Sequence, residues 1–311
     1  MIRKTVEFST PGTRLSIAHR QLVVERPDLP KATLPIEGLG VVIVDDVRAT
    51  YTQSIFLSLL EAGVTVLVTG RDHLPAGMML PLDAHHVQTE RHRAQVETSA
   101  PVRKRAWQSI VRAKIVQQAT VLSHFTGSHG GLAPMARRVR SGDPDNLEAQ
   151  AAQRYWPRLF GKTFRRDREA EGVNVLLNYG YAVVRAAVAR AVVAAGLIPS
   201  LGVHHRHRNN PFCLADDLLE PYRPYVDWRV REMAGDDAEA APDLSERTTR
   251  AELLSLLNET VHVGGRREPL LLAFHTSAAS LCRTLTGGDR TLALPEGLPV
   301  EPDLVDAAEI G

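Results

Sequence analysis

The stretch from Val173 to Gly196 reads VNVLLNYGYAVVRAAVARAVVAAG. Wound as a helix it is apolar around most of its circumference, which marks a helix enclosed by others. It is long enough to span a bilayer, but Arg185 and Arg190 lie inside it, so a buried helix is the reading. Gly180 permits a close helix crossing, and Gly196 with Pro199 ends the run. A central helix of this kind calls for an all-α domain around it.

Next comes Leu201 to Trp228, LGVHHRHRNNPFCLADDLLEPYRPYVDW. Asn210 is a suitable helix cap and Pro211 suits a first turn. On such a helix Asp217 and Glu220 share a face. Carboxylates held together repel unless a cation lies between them. Oxygen ligands suit magnesium or manganese, and a histidine from the preceding turn favours tolerance of manganese. The plain alternative is a solvated acidic face beside a basic loop.

Upstream, Asp143-Pro144 is a helix start, with Asp143 at the cap and Pro144 in the first position of DNLEAQAAQRYWPRLFG. Glu148 then falls in the second turn. Ala149, Ala151 and Ala152 around it allow close approach of a ligand or a helix. A surface residue favoured by the helix dipole is the alternative. Glu148, His205 and the pair Asp217/Glu220 all sit on or beside helices expected to pack on the central one, so a shared divalent cation is possible. Such an ion polarises a scissile phosphate and activates a hydroxyl or water. Arg206, Arg208 and Arg223 are placed to neutralise phosphate charge.

Residues 85–100 read as a polar linker passing into helix, and Trp107 to Thr120 is amphipathic. The basic start of that helix, with Trp107, is either a nucleic-acid contact or a solvated charged face. Residues 1–84 alternate short strands at 5–9, 14–19, 21–25, 31–35, 40–44 and 64–68 with one helix at 50–62 capped by Thr52 and stopped by Gly63. Asp45, Asp46 and Asp72 there read as turn residues. The fold class is therefore α+β: a small N-terminal β-rich domain (1–84), offering a dimerisation surface, then a larger all-α domain (101–288).

The net charge of +1 hides a split. Residues 232–246 carry −6 and residues 289–311 carry −5, leaving +12 on the rest, the sign that meets phosphate. The first acidic segment reads as a loop insertion and the second as a disordered tail able to screen the basic surface. Cys213 and Cys282 form no disulfide framework. A reducing, cytoplasmic compartment is expected, with no membrane partner.

Several long segments resemble, in order, one family: the CRISPR-associated spacer-acquisition endonuclease/integrase in its type II form, II-C in particular. They are GLGVVIVDDVRATYTQSIFLSLLEAGVTVLVTGRDHLPAGMMLPL, PVRKRAWQSIVRAKIVQQA, DPDNLEAQAAQRYWPRLFGKTF, LLNYGYAVVRAAVARAVVAAGLIPSLGVHH and NPFCLADDLLEPYRPYVD. The resemblance implies a homodimer, two of which clamp a dimer of a small ferredoxin-like adaptation subunit in a heterohexamer. It implies joining of the 3′-hydroxyl ends of a double-stranded DNA prespacer to the CRISPR repeat by transesterification, with Mg2+ or Mn2+. The family's metal residues fall on Glu148, His205 and Glu220, with Asp217 as an adjacent acid. Association with the type II effector nuclease stays open. Arg165, Arg166, Arg206, Arg208 and Arg223 are the expected DNA contacts. Leu147 stands where the resemblance implies a basic residue in many relatives. A zinc site from His204, His207 and Cys213 has few soft ligands at irregular spacing; His207 and Arg208 are instead expected to line DNA. A hydrolytic metal-dependent phosphodiesterase and a non-catalytic DNA-binding assembly subunit are the alternatives.

Overall fold

The computed structural model describes residues 4–235, 241–288 and 291–300. The N-terminal part holds two four-stranded sheets. In one, β1 (Lys4–Phe8), β5 (Leu39–Val44) and β7 (Thr65–Thr69) run parallel in that order, and β8 (Pro75–Met79) closes it antiparallel. In the other the order is β4 (Leu29–Pro35), β3 (Gln21–Arg26), β2 (Arg14–Ala18) and β6 (Thr50–Tyr51). Thr50 and Tyr51, expected as helix, pair instead with Arg14 and Leu15, and the helix α1 begins at Gln53 and runs to Glu61.

The strand β5 reads LGVVIV and is buried along its whole length, the pattern of a strand covered on both faces. Period-two geometry sends Val42 and Val44 into a core with Leu15, Leu22, Ile55 and Leu59. It sends Val41 and Ile43, with Leu67, into the core of the helical half.

That half contains α2 (Gln88–Glu97), α3 (Ala100–Thr126), α4 (Leu132–Arg138), α5 (Leu147–Leu159), α6 (Val173–Ala194), α7 (Cys213–Leu219), α8 (Arg223–Ala234), α9 (Arg247–Ser255) and α10 (Leu270–Leu285). Among the described residues α6 alone has the length and apolarity of a membrane span, and most of it is buried in the fold. It packs against α7, α8 and α10 and against β7 and β8. At the crossing with α8 a Cβ on Gly180 would stand 2.5 Å from Val226, so only glycine fits.

Three expectations are corrected here. The segment expected as a linker at 85–100 carries α2. Its Gln95 is buried, donating to the carbonyls of Ile198 (3.1 Å) and Leu201 (3.0 Å) and accepting from the Ile198 amide (2.7 Å). The helical half is not purely α: β9 (Thr260–Val263) is flanked by β10 (Arg266–Pro269) and β11 (Pro295–Val300) in an antiparallel sheet. The segment 289–311, expected as a disordered tail, thus contributes a strand. Its Pro295 carbonyl accepts from buried Gln117 (2.6 Å), and its Gly297 carbonyl accepts from buried Tyr225 (2.8 Å). Buried donors need acceptors, and the strand supplies them. Residues 289–290 and 301–311, the rest of the expected tail, and 236–240, the centre of the acidic insertion, lie outside the described residues.

Asp45 is more than a turn residue. It is buried against the His73 ring (2.8 Å) and Arg250 of α9 (3.2 Å), and Arg250 also donates to Glu7 of β1 (2.8 Å). Asp46 and Asp72 accept backbone amides, from Gly12 and Leu74.

Candidate active site

The buried stripe of α3 is Trp107, Ile110, Val111, Lys114, Ile115 and Gln118. A lysine on the core face of a helix requires buried anions. It finds two: Lys114 Nζ donates to Glu148 Oε1 and to Glu220 Oε2, the latter at 2.5 Å. Glu148 is in the first turn of α5, and Glu220 opens a single 3-10 turn that follows α7. Arg223, at the start of α8, donates to the other oxygen of Glu220 at 2.9 Å and stacks over the Tyr181 ring of α6. Burial alone would raise the Glu220 carboxyl, but Arg223 and Lys114 hold it down to about 2. Lys114 is raised despite its burial, because both carboxylates favour its charge.

Glu148 owes its position to Asp143. The helix starts at Leu147, not at Pro144, since Asp143 and Asn146 both adopt left-handed backbone in the preceding turn. The Asp143 carboxylate still caps it, accepting the amides of Leu147 and Glu148 at 3.0 Å each. Leu147 itself is buried core. Likewise α7 starts at Cys213, two residues later than Pro211 suggests, because Asn210 accepts the Phe212 amide and donates to Asp216.

Asp217 faces away from the carboxylate pair. Fully buried, it accepts the amides of Val203 (2.6 Å), His204 (3.0 Å) and His205 (3.1 Å), and the Nδ1–H of His205 (2.7 Å). Gly202 makes this closure possible: a Cβ there would lie 2.5 Å from the His205 carbonyl and 2.7 Å from Asp217. The hydrogen bond from His205 to Asp217 raises the His205 pKa against the opposing effect of burial. It also fixes the ring so that Nε2 is the nitrogen left for a ligand. Trp107, a candidate DNA contact in the sequence, is buried instead. It stacks flat on His204 (4.1 Å between ring centres) and meets His205 edge-on.

His205 and Glu220 line a cleft of about 720 Å³ whose basic residues are Arg166, Arg168, Arg185 and Arg223. Arg206 and Arg208 line an adjoining cleft of about 470 Å³ that also includes His205 and His207. Arg165 lines neither; it donates to the carbonyls of Lys162 and Phe164. Cys213 points its thiol at backbone carbonyls, and His204 is engaged by Trp107, so the three soft ligands do not converge. Among the described residues no three His, Cys, Asp or Glu side chains form a ready metal cluster. Between Glu148 and Glu220 stands Lys114, which the sequence reading missed.

The model of the family described as CRISPR associated protein Cas1 matches residues 7–255. The chain belongs to the Cas1 family. It is 36% identical over 296 residues to the CRISPR-associated endonuclease Cas1 of Neisseria meningitidis serogroup C, covering 93% of this chain and 95% of that relative. A Cas1 endonuclease of Saccharolobus solfataricus is 27% identical over 307 residues, covering 92% and 95%. Among solved structures, a casposase bound to integration product superposes with a TM-score of 0.78 at 19% identity, covering 99% of this chain and 97% of that one. A Cas1 protein from Thermotoga maritima gives 0.73 at 15% identity, covering 94% and 100%. The α+β arrangement described above is the fold that this chain shares with both structures.

Proposed function

We propose that this Cas1-family chain joins DNA 3′-hydroxyl ends to a CRISPR repeat by transesterification, using a divalent cation held by Glu148, Glu220 and His205. The observation that carries the reading is the pairing of the Glu148 and Glu220 carboxylates around one positive charge, with Glu220 and His205 on the wall of an arginine-lined cleft. The donor set suits Mg2+ or Mn2+: two hard carboxylates and one imidazole nitrogen, with no convergent thiolate. Asp217 is better suited to orienting His205 than to ligating, because its oxygens are already filled by four hydrogen bonds.

When bound, the cation supplies polarisation of the scissile phosphate and a lower pKa for the attacking hydroxyl. The chain's own residues do the rest. Arg166 and Arg168 face the cleft and meet phosphate oxygens there, while Arg223 fixes Glu220 and keeps it ionised. Asp217 holds His205 in one tautomer. Exchange of one phosphodiester for another conserves bond type, so alignment and charge neutralisation suffice without a nucleotide fuel.

The known neighbours fit this reading. One is bound to an integration product, another is part of a Cas6-RT-Cas1–Cas2 complex. A double-stranded DNA substrate, a homodimer and a small Cas2-like partner subunit are the corresponding proposals here, with the N-terminal sheets as the dimer surface.

The test is a strand-transfer assay with a labelled 3′-hydroxyl duplex, a supercoiled repeat plasmid, the partner subunit and Mn2+. Label joins the plasmid with wild type and not with Glu220→Ala or Glu148→Ala. Equal joining by both variants overturns the site. Metal-dependent degradation without joining favours a hydrolytic phosphodiesterase.

A further inference from the structure

Lys114 is the feature of this site that the proposed chemistry does not use. Its ammonium lies between Glu148 and Glu220, in contact with one oxygen of each. Its side chain is 10% exposed and that of Glu220 7%, whereas Glu148 is 29% exposed. Nothing else on α3 explains a charge there: the neighbours on the same stripe, Ile110, Val111, Ile115 and Gln118, are core residues. Removing the charge from a buried pair leaves its partners uncompensated, so the two carboxylates need a cation whether or not a metal is present. One further charge is already matched, since Arg223 serves the second oxygen of Glu220.

We propose that Lys114 is a resident counter-cation, a positioning residue that holds Glu148 and Glu220 together in the metal-free protein and yields its place between them when a divalent ion binds. The inference rests on the metal reading given above. An ammonium and a divalent ion both seek the inner oxygens of the same two carboxylates, so they exclude one another. The protein thereby folds with its site preassembled, and it binds metal with an affinity reduced by the fraction of molecules in which Lys114 is seated. A site open in one molecule of ten is bound about tenfold more weakly than an open one.

The experiment measures Mn2+ binding to the full chain by electron paramagnetic resonance of free Mn2+, at one fixed pH, for wild type, Lys114→Met, Glu220→Gln and the double variant. Lys114→Met binds Mn2+ roughly tenfold or more tightly than wild type, and Glu220→Gln abolishes the gain. Its melting temperature in chelator falls, and saturating Mn2+ restores it. Because a variant with a disturbed core is uninformative, a second measurement uses wild type alone: the 15N signal of a protected lysine ammonium, assigned through Lys114→Met or by elimination, is present without metal and is lost on adding Mg2+. Unchanged or weaker Mn2+ binding in a folded Lys114→Met, or an ammonium signal indifferent to saturating Mg2+, overturns the proposal while leaving the metal site standing. Wild type that binds no Mn2+, or binds it undiminished in Glu220→Gln, overturns the metal reading and this inference with it.

Discussion

Asp217 gathers three consecutive backbone amides and the imidazole of His205 on a single buried carboxylate. One residue thus sets both the shape of the turn and the proton position on the ring. Asp217→Asn keeps the size of the side chain and removes the strong acceptor for Nδ1–H. Strand joining falls by about 10–100-fold while circular dichroism stays unchanged. Joining at the wild-type rate would show that the tautomer of His205 is immaterial.

Gly202→Ala strikes the same turn from the backbone side. The added methyl meets the His205 carbonyl and the Asp217 carboxylate at distances no real Cβ tolerates. Urea denaturation will show a loss of about 1–3 kcal/mol, with a parallel drop in activity.

Arg250→Met tests the connection between the halves. Arg250 is 3% exposed, and its guanidinium serves Glu7 and Asp45 from α9. Its removal takes the arginine from two buried carboxylates and leaves Asp45 with His73 and Thr69, at a cost of about 3–5 kcal/mol, read as a lowered urea midpoint that salt does not restore.

Asp227 governs a pH effect. Burial pushes its carboxyl up to about 7 from 3.8, against the hydrogen bond it accepts from Tyr181. A raised acid pKa means the folded state resists ionisation. The penalty is absent below the unfolded value, grows between the two values and is complete above the folded one. Asp227→Asn therefore stabilises the protein at about pH 8 and does little at about pH 4, with each pKa unit worth about 1.4 kcal/mol. Equal melting shifts at the two pH values would show that the group ionises as freely folded as unfolded.

Arg208→Ala separates DNA contact from metal binding. The residue is exposed in the second cleft. Affinity for a DNA duplex drops and the slope of log affinity against log salt shrinks by about 1, with Mn2+ binding unaltered.

Much of this was legible in the chain. The strands near 5, 14, 21, 40 and 64 and the helix at 173 follow from alternation and from apolar periodicity, signals that depend only on neighbouring residues. Glu148, His205 and Glu220 were singled out because Glu148 follows a helix-start signal, His205 sits in a histidine-rich turn and Glu220 is spaced one helical turn from Asp217. What stayed hidden depended on distance. Lys114 was visible as a lysine in the sequence IVRAKIVQQ, and its place on the stripe of Trp107, Ile110 and Val111 is the signal that finds it. That signal says only that an anion is needed, not which. Asp217 and Glu220 share a helical spacing, yet the switch to a 3-10 turn at Glu220 sends them to different partners. The strand at 295–300 carries Pro and Gly and reads as tail, because its reason for order is the donors of Gln117 and Tyr225, far earlier in the chain.

The strand β5, covered on both sides, has a consequence for how the protein is made. Val41, Ile43 and Leu67 leave the ribosome long before the helices that cover them. The N-terminal sheets emerge with one finished face and one bare, sticky one. That face must be sheltered, by the ribosome surface or by a chaperone, until α6 arrives to lie against β7 and β8. Stalling synthesis between Leu67 and Val173 should leave a nascent chain that binds chaperones, and release of stalling past α6 should free it.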